Sequence, residues 1–104
     1  MQWRQGDVLI VQVKALPKSA KRVAAEGGRV ILAHGEATGH THSVDASVAR
    51  LFEVSGIEDR FLEVRGAVAV LHQEHDAIQL DPGIYQIRRQ REYDDELEVR
   101  RVSD

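Results

Sequence analysis

The sequence contains no cysteine, which excludes disulfide bonds and thiolate metal sites. Any metal ion bound by this chain must therefore take nitrogen and oxygen ligands. Aromatic residues make up only 5% of the chain, so no groove for stacking a planar ligand is evident. No apolar run approaches the roughly 20 residues that a membrane-spanning helix needs. The polar N-terminus lacks the apolar core of a signal peptide, and we expect a cytoplasmic protein with no membrane partner.

The length and charge of the chain limit its function classes. A length of 104 residues predicts a single β domain over residues 1–104. The net charge of −3 argues against a protein built mainly to bind nucleic acid. Basic residues lie between Arg88 and Arg91, but an acidic run from Asp94 to Glu96 follows at once. This pattern favours an edge strand whose charges prevent aggregation. The glycine pair at 27–28 lacks the lysine of a phosphate-binding loop.

Short apolar and alternating segments, separated by turn residues, predict an all-β fold. Residues 14–28 fit a short helix or an irregular loop equally well, and the segments 48–54 and 61–65 are typical of a hairpin. We therefore expect a small antiparallel β-barrel or sandwich with at most one short helix. The strands are expected at 8–13, 29–33, 40–44, 48–54, 61–65, 67–71, 77–80 and 84–93.

All five histidines fall in two short segments, residues 34–42 and 72–75. His40 and His42 are two residues apart, so on a strand their side chains project from one face at a spacing of roughly 6–7 Å. Two imidazoles at that spacing can bind one metal ion through bonds of about 2.0–2.1 Å. A two-residue turn at 73–74 would place His72 opposite His75. Gln-Glu is a poor turn pair, which leaves a wider hairpin open.

These two clusters predict a site for a divalent transition metal, with zinc, iron, nickel and copper all suited to imidazole ligands. Four nitrogen ligands would indicate a structural site, and three with an open position would indicate catalysis on a small-molecule substrate. His34 is assigned to a turn or to a position that supports a ligand, and Glu36, Glu74 and His34 are the alternate ligands. The expected metal ligands are His40, His42, His72 and His75. The candidate general bases are Glu36 and Glu74, and the candidates for orienting a ring are Asp45, Glu53 and Asp76.

Two resemblances support the importance of these positions. The glycine and His-x-His of residues 35–42, followed later by Pro82-Gly83, partly resemble the metal motifs of cupins, which implies a β fold and metal ligation by His40 and His42. The chain is also similar to a group of short bacterial proteins of unknown function. That similarity covers Gly-Glu-Ala-Thr-Gly-His-Thr-His at 35–42, His-Gln-Glu-His at 72–75, and residues 80–85 with 89–93.

The alternative hypothesis is an interaction module whose histidines are incidental. In that case a β-barrel forms a homo-oligomer or binds a partner through an edge strand. We expect self-association under either hypothesis. The two hypotheses differ in pH and metal dependence, because metal ligation weakens as histidines protonate near pH 6 and edge pairing need not.

Overall fold

The computed structural model describes residues 1–34 and 39–89, and within them the chain forms ten β-strands and no helix. The all-β prediction is therefore confirmed for this part of the chain. Residues 14–28, for which a helix or a loop was open, form a loop that contains one short strand. No membrane-spanning helix is found in the part of the chain that the structure describes. The strands are β1 Gln2–Gln5, β2 Val8–Val13, β3 Lys21–Val23, β4 Arg29–His34, β5 Thr41–Asp45, β6 Ala49–Val54, β7 Ile57–Val64, β8 Val68–Val70, β9 Ile78–Leu80 and β10 Gly83–Arg89.

Six of the strands form one antiparallel sheet in the order β1-β2-β10-β7-β6-β3. Two further antiparallel pairs, β4 with β5 and β8 with β9, are separate from it. Ser43 of β5 exchanges both of its backbone hydrogen bonds with Leu71, one residue beyond β8. This bridge joins the two pairs. Over residues 1–34 and 39–89 the strands do not close into a barrel.

One hydrophobic core takes its members from all three sets of strands. The period-two alternation of apolar residues places alternate side chains on one face of each strand, as with Val8 and Ile10 of β2 and with Tyr85 and Ile87 of β10, which are all buried. The predicted hairpin of β6 and β7 is confirmed by their antiparallel pairing. The core residues are Val8, Ile10, Val30, Leu32, Val44, Ala49, Leu51, Leu62, Val64, Val68, Val70, Leu80, Tyr85 and Ile87.

Two connections position the candidate site. Gln5 pairs with Val8, so Gly6 and Asp7 form a two-residue turn between β1 and β2. Gly6 has a φ of 60°, a value that glycine adopts at little steric cost. Between β8 and β9 the last pair is Val70 with Ile78. Residues 71–77 therefore form a long connection, and the two-residue turn at 73–74 that would set His72 against His75 is wrong. The wider hairpin is the one that forms.

Candidate metal centre

The bridge between β5 and the end of β8 sets two of the predicted ligands against each other. Ser43 lies opposite Leu71 in an antiparallel pair that exchanges two hydrogen bonds of 3.1 and 2.9 Å. His42 therefore lies opposite His72 at the adjacent position, where the side chains of an antiparallel pair approach most closely. Their ring centroids are 4.4 Å apart. The pairing thus connects two histidines that are thirty positions apart in the chain.

The remaining two predicted ligands contact the same ring. The centroid of His72 lies 5.5 Å from that of His40 and 4.7 Å from that of His75. A hydrogen bond of 3.0 Å from the backbone N–H of Thr41 to the Gln73 Oε1 further ties the two segments together. The structure therefore gathers all four predicted metal ligands into one cluster centred on His72.

Gln5 determines which nitrogen of His42 carries the proton. The Gln5 Nε2 donates to the carbonyl oxygens of Val70 at 3.0 Å and Asp76 at 2.9 Å, which assigns the amide orientation. Its Oε1 must then accept a hydrogen bond from the Nδ1 of His42, 2.9 Å away. The neutral ring consequently bears a lone pair on Nε2. That atom is buried and has no hydrogen-bond partner in the part of the chain that the structure describes, an arrangement that normally calls for an explanation.

The turn between β1 and β2 forms one wall of the cluster. A Cβ at Gly6 would lie 2.7 Å from the Nε2 of His75, so any other residue here would displace that ring from its present position. The Asp7 Oδ1 lies 3.6 Å from the Nε2 of His42. The other carboxylate oxygen of Asp7 accepts a hydrogen bond of 2.9 Å from the Nε of Arg89. Three consecutive residues, 5–7, therefore face the cluster.

The electrostatics of the cluster favour neutral imidazoles. Burial lowers the pKa of His42 from its ordinary value of 6.5 to about 4, and the nearby His72 adds to this effect. The pKa of His72 is lowered by burial and by its histidine neighbours. Burial opposes ionisation of Asp7, but the hydrogen bond and the charge of Arg89 outweigh it and lower the pKa of that carboxyl. At neutral pH the lowered pKa values leave the rings of His42 and His72 unprotonated beside the Asp7 carboxylate, which is the protonation state that metal ligation needs.

The side chains as placed do not yet form a closed coordination sphere. Among residues 1–34 and 39–89, no group of three or more His, Cys, Asp or Glu side chains has an arrangement that would hold a metal ion. The Nδ1 of His72 instead accepts a hydrogen bond of 3.0 Å from the backbone N–H of Glu74. His75 is exposed and His40 is 24% exposed. These partly solvated rings have room to rotate, whereas His42 is buried and held by Gln5.

Some expected site residues lie elsewhere. Glu36 falls outside the described residues. The Glu74 carboxylate is 64% exposed and lies 3.8 Å from the Nδ1 of His40, at the rim of the cluster. His34 ends β4, exposed to solvent. It makes no ring contact with the other four histidines in the part of the chain that the structure describes.

The three acidic residues expected to orient a ring do not occupy that position. The Asp45 carboxylate accepts a hydrogen bond from the backbone N–H of Ser47, which closes a turn. Glu53 lies on β6. Asp76 contributes through its backbone carbonyl alone, to Gln5. Gln5 takes the orienting position instead, and Asp7 faces the same ring.

Sequence reasoning missed Gln5, Gly6, Asp7 and Arg89. Nothing in the local sequence indicates that the turn at Gly6 and Asp7 contacts histidines more than thirty residues away. No sequence signal identifies Gln5 either, because its burial, with 2% of the residue exposed, is a property of the folded chain.

The basic strand near the C-terminus offers little for nucleic acid. The Tyr85 ring is 1% exposed and its hydroxyl donates to the carbonyl oxygen of Asp81, so the ring is not available for stacking. Arg88 lies 3.9 Å from Asp59, and Arg89 pairs with Asp7. Two of the basic side chains therefore already have acidic partners.

A protein-family model described as a domain of unknown function (DUF8820) matches residues 4–90. The matched range takes in Gln5, Asp7, Arg89 and all five histidines. No curated protein and no solved structure matches the chain. The family is consistent with the similarity to uncharacterised proteins. Its description names no activity.

Proposed function

We propose that this chain, which belongs to the DUF8820 family of unknown function, binds one divalent transition-metal ion at the histidine cluster. The ligands are His42 and His72 together with His40, His75 or both. One observation carries the proposal: the Nε2 of His42 is buried, has no hydrogen-bond partner among residues 1–34 and 39–89, and is fixed as a lone-pair donor by Gln5. Fixing the tautomer through the second ring nitrogen is how metal-binding histidines are normally oriented.

The donor set limits the metal. Neutral imidazoles suit zinc, iron, nickel and copper in their divalent states, whereas the absence of thiolates disfavours copper(I). A bound ion of this kind supplies Lewis acidity. Glu74 lies at the solvent-exposed rim, where its carboxylate could accept a proton from a small substrate as a general base. The proposal itself is metal binding, and turnover would be a further property.

The competing hypothesis is an interaction module that assembles through an edge strand. The outer strands of the six-stranded sheet are short, with four residues in β1 and three in β3. Lys21 and Arg22 of β3 are exposed, and charged side chains on short edges oppose strand addition. Metal binding is therefore the better supported of the two. Metal content separates them, because edge pairing does not require a metal ion.

The first test is metal content, measured by elemental analysis of protein purified without a histidine tag. His42→Asn removes the Nε2 donor while its amide can still donate to Gln5, and His34→Asn is the matched control outside the cluster. We expect about one equivalent of metal in wild type and in the control, and its loss in His42→Asn. His72→Asn, at a less buried position, provides a second variant if His42→Asn does not fold.

Thermal melting of chelator-treated protein gives an independent measurement. A ligand at 100 times its dissociation constant stabilises the folded state by about 2.7 kcal/mol, which should raise the Tm of wild type measurably. Absence of bound metal, together with no rise in Tm on adding zinc, iron, nickel or copper, would refute the proposal.

A further inference from the structure

Two hydrogen-bond acceptors face each other at the inner side of the cluster. The Nε2 of His42 bears a lone pair, because the proton of that ring lies on Nδ1 and is donated to Gln5. The nearest carboxylate oxygen, the Oδ1 of Asp7, lies 3.6 Å away. A carboxylate only accepts hydrogen bonds, so neither of the two atoms can donate a hydrogen bond to the other. The close approach of these two electron-rich atoms is unfavourable by itself. A cation bound between them would make it favourable.

The orientation of Asp7 is determined from its other side. The Arg89 Nε donates to the Oδ2 at 2.9 Å, and the guanidinium also donates to the backbone carbonyl oxygen of His34. A guanidinium bound at both ends has little freedom to rotate. The Oδ1 of Asp7 is consequently left facing His42, at a position that is only 23% exposed. One oxygen of the Asp7 carboxylate thus faces the cluster, and the other is held by Arg89.

We propose that Asp7 is the oxygen ligand of the metal site and that Arg89 is the residue that positions it. This inference rests on the proposed metal-binding function and adds a ligand that the histidine pattern does not include. Two metal–ligand bonds of about 2.0–2.1 Å that meet at roughly 120° would span the distance between the two atoms. His42 and Asp7 therefore form a fixed pair of donors, and His72 with His40 or His75 completes the set.

A mixed nitrogen and oxygen donor set has consequences for the ion that it binds. Carboxylate ligands suit harder cations than imidazole alone does, and the negative charge partly offsets that of a divalent ion. The site should therefore prefer zinc or iron(II) to copper(I). The charge of Asp7 is shared with Arg89, so loss of Arg89 should change the position of the carboxylate rather than the number of ligands.

The test compares two carboxylates that both pair with arginine. Asp7→Asn removes the proposed ligand with little change in shape. Asp59→Asn is the control, because Asp59 pairs with Arg88 and accepts a hydrogen bond from Gln86. Zinc affinity is measured by competition with a chromogenic chelator, and cobalt(II) absorption reports the coordination sphere. We expect Asp7→Asn to lose at least about 100-fold in zinc affinity and to alter the cobalt spectrum, whereas Asp59→Asn changes neither.

Arg89 is tested by the same measurements. Arg89→Gln should weaken zinc binding by about 10- to 100-fold, and Arg89→Lys should restore part of it by returning a charged hydrogen-bond donor that can hold the Asp7 carboxylate in place. A merely structural role would lower the Tm of the metal-free protein and leave the affinity of the folded fraction unchanged. Asp7→Ser, which keeps a residue common in turns, serves as a second variant if Asp7→Asn does not fold.

The outcomes are distinguishable from those of the proposed function. Wild-type zinc affinity and an unchanged cobalt spectrum in Asp7→Asn, with binding lost in His42→Asn, would refute the role of Asp7 and leave the histidine site intact. An equal loss in Asp7→Asn and Asp59→Asn would also refute it, because net charge alone would then explain the effect. A wild-type protein that binds neither zinc nor cobalt would refute both proposals.

Discussion

His42 on β5 and His72 on the connection from β8 to β9 face each other, yet their surroundings are opposite. The ring of His42 is 1% exposed, and Gln5 fixes both its position and its tautomer. His72 is partly exposed, and its Nδ1 accepts a hydrogen bond from the backbone N–H of Glu74 in the same connection. The same contrast separates Gln5, which is buried, from Gln73, which is exposed.

This difference divides the proposed metal site into a fixed part and an adjustable part. The orientation of His42 is set by folding, so under the proposed function little entropy would be lost there when a metal ion binds. The exposed rings keep rotational freedom, which under the proposed function would let them turn toward the ion. The hydrogen bond from Thr41 to Gln73 keeps that side near the cluster.

The largest expected loss of stability comes from removing the hydrogen bonds that Gln5 makes beside His42. Gln5→Met keeps the approximate shape but leaves the Nδ1 of His42 and the carbonyl oxygens of Val70 and Asp76 without their partner. Each buried unsatisfied group costs about 1–3 kcal/mol, so the free energy of unfolding should fall by about 3 kcal/mol or more. Gln73→Met, which removes one exposed hydrogen bond, should cost less than about 1 kcal/mol. Urea denaturation in the presence of a chelator measures both, and equal losses would contradict the comparison.

The pH dependence of stability should differ between the two histidines. The pKa of His42 is lowered from 6.5 to about 4 in the folded protein, so between these values the unfolded state binds the proton more strongly. Stability of the metal-free protein is therefore full above about pH 6.5 and falls as the pH drops towards 4. The total loss due to His42 is about 3 kcal/mol, at about 1.4 kcal/mol for each pH unit.

Two variants show which histidine causes the loss of stability at low pH. His42→Asn should remove most of it, because the group that titrates is gone. His72→Asn should remove less, since His72 is more exposed and regains water contact when it is protonated. Denaturant midpoints, measured from pH 7.5 to pH 4 in the presence of a chelator, give the pH dependence of stability for wild type and for both variants. A slope that persists in His42→Asn would mean that other groups cause it.

The smallest expected effect concerns the turn that faces His75. Gly6 and Gly56 both have positive φ, 60° and 82°, so alanine at either should cost about 1–2 kcal/mol of backbone strain. A Cβ at Gly6 also displaces the ring of His75, whereas a Cβ at Gly56 meets nothing within 4 Å. We therefore expect a lower zinc affinity in Gly6→Ala alone, by about 10-fold. Equal affinities in two folded variants would show that His75 is not a ligand.

Much of the strand pattern could be predicted from local sequence. The expected strands at 8–13, 29–33 and 48–54 match β2, β4 and β6 closely, because each buries one face and alternates accordingly. β1 and β3 were missed, since Gln2–Gln5 and Lys21–Val23 are short and mostly polar. Strands of that kind form because a neighbouring strand offers hydrogen bonds, and no local signal reveals it.

The sequence by itself determined the all-β character, the hairpin of β6 and β7, and the four histidines that are candidates for a metal site. Those features depend on periodicity, turn residues and composition, which are local properties. The tertiary structure decided what surrounds the histidines. The pairing of Ser43 with Leu71 set His42 against His72, and the β1–β2 turn brought Gln5 and Asp7 to the same ring. Such contacts follow from strand pairing across distant segments, and the free energy that selects one pairing comes from burying the whole core rather than from any short stretch.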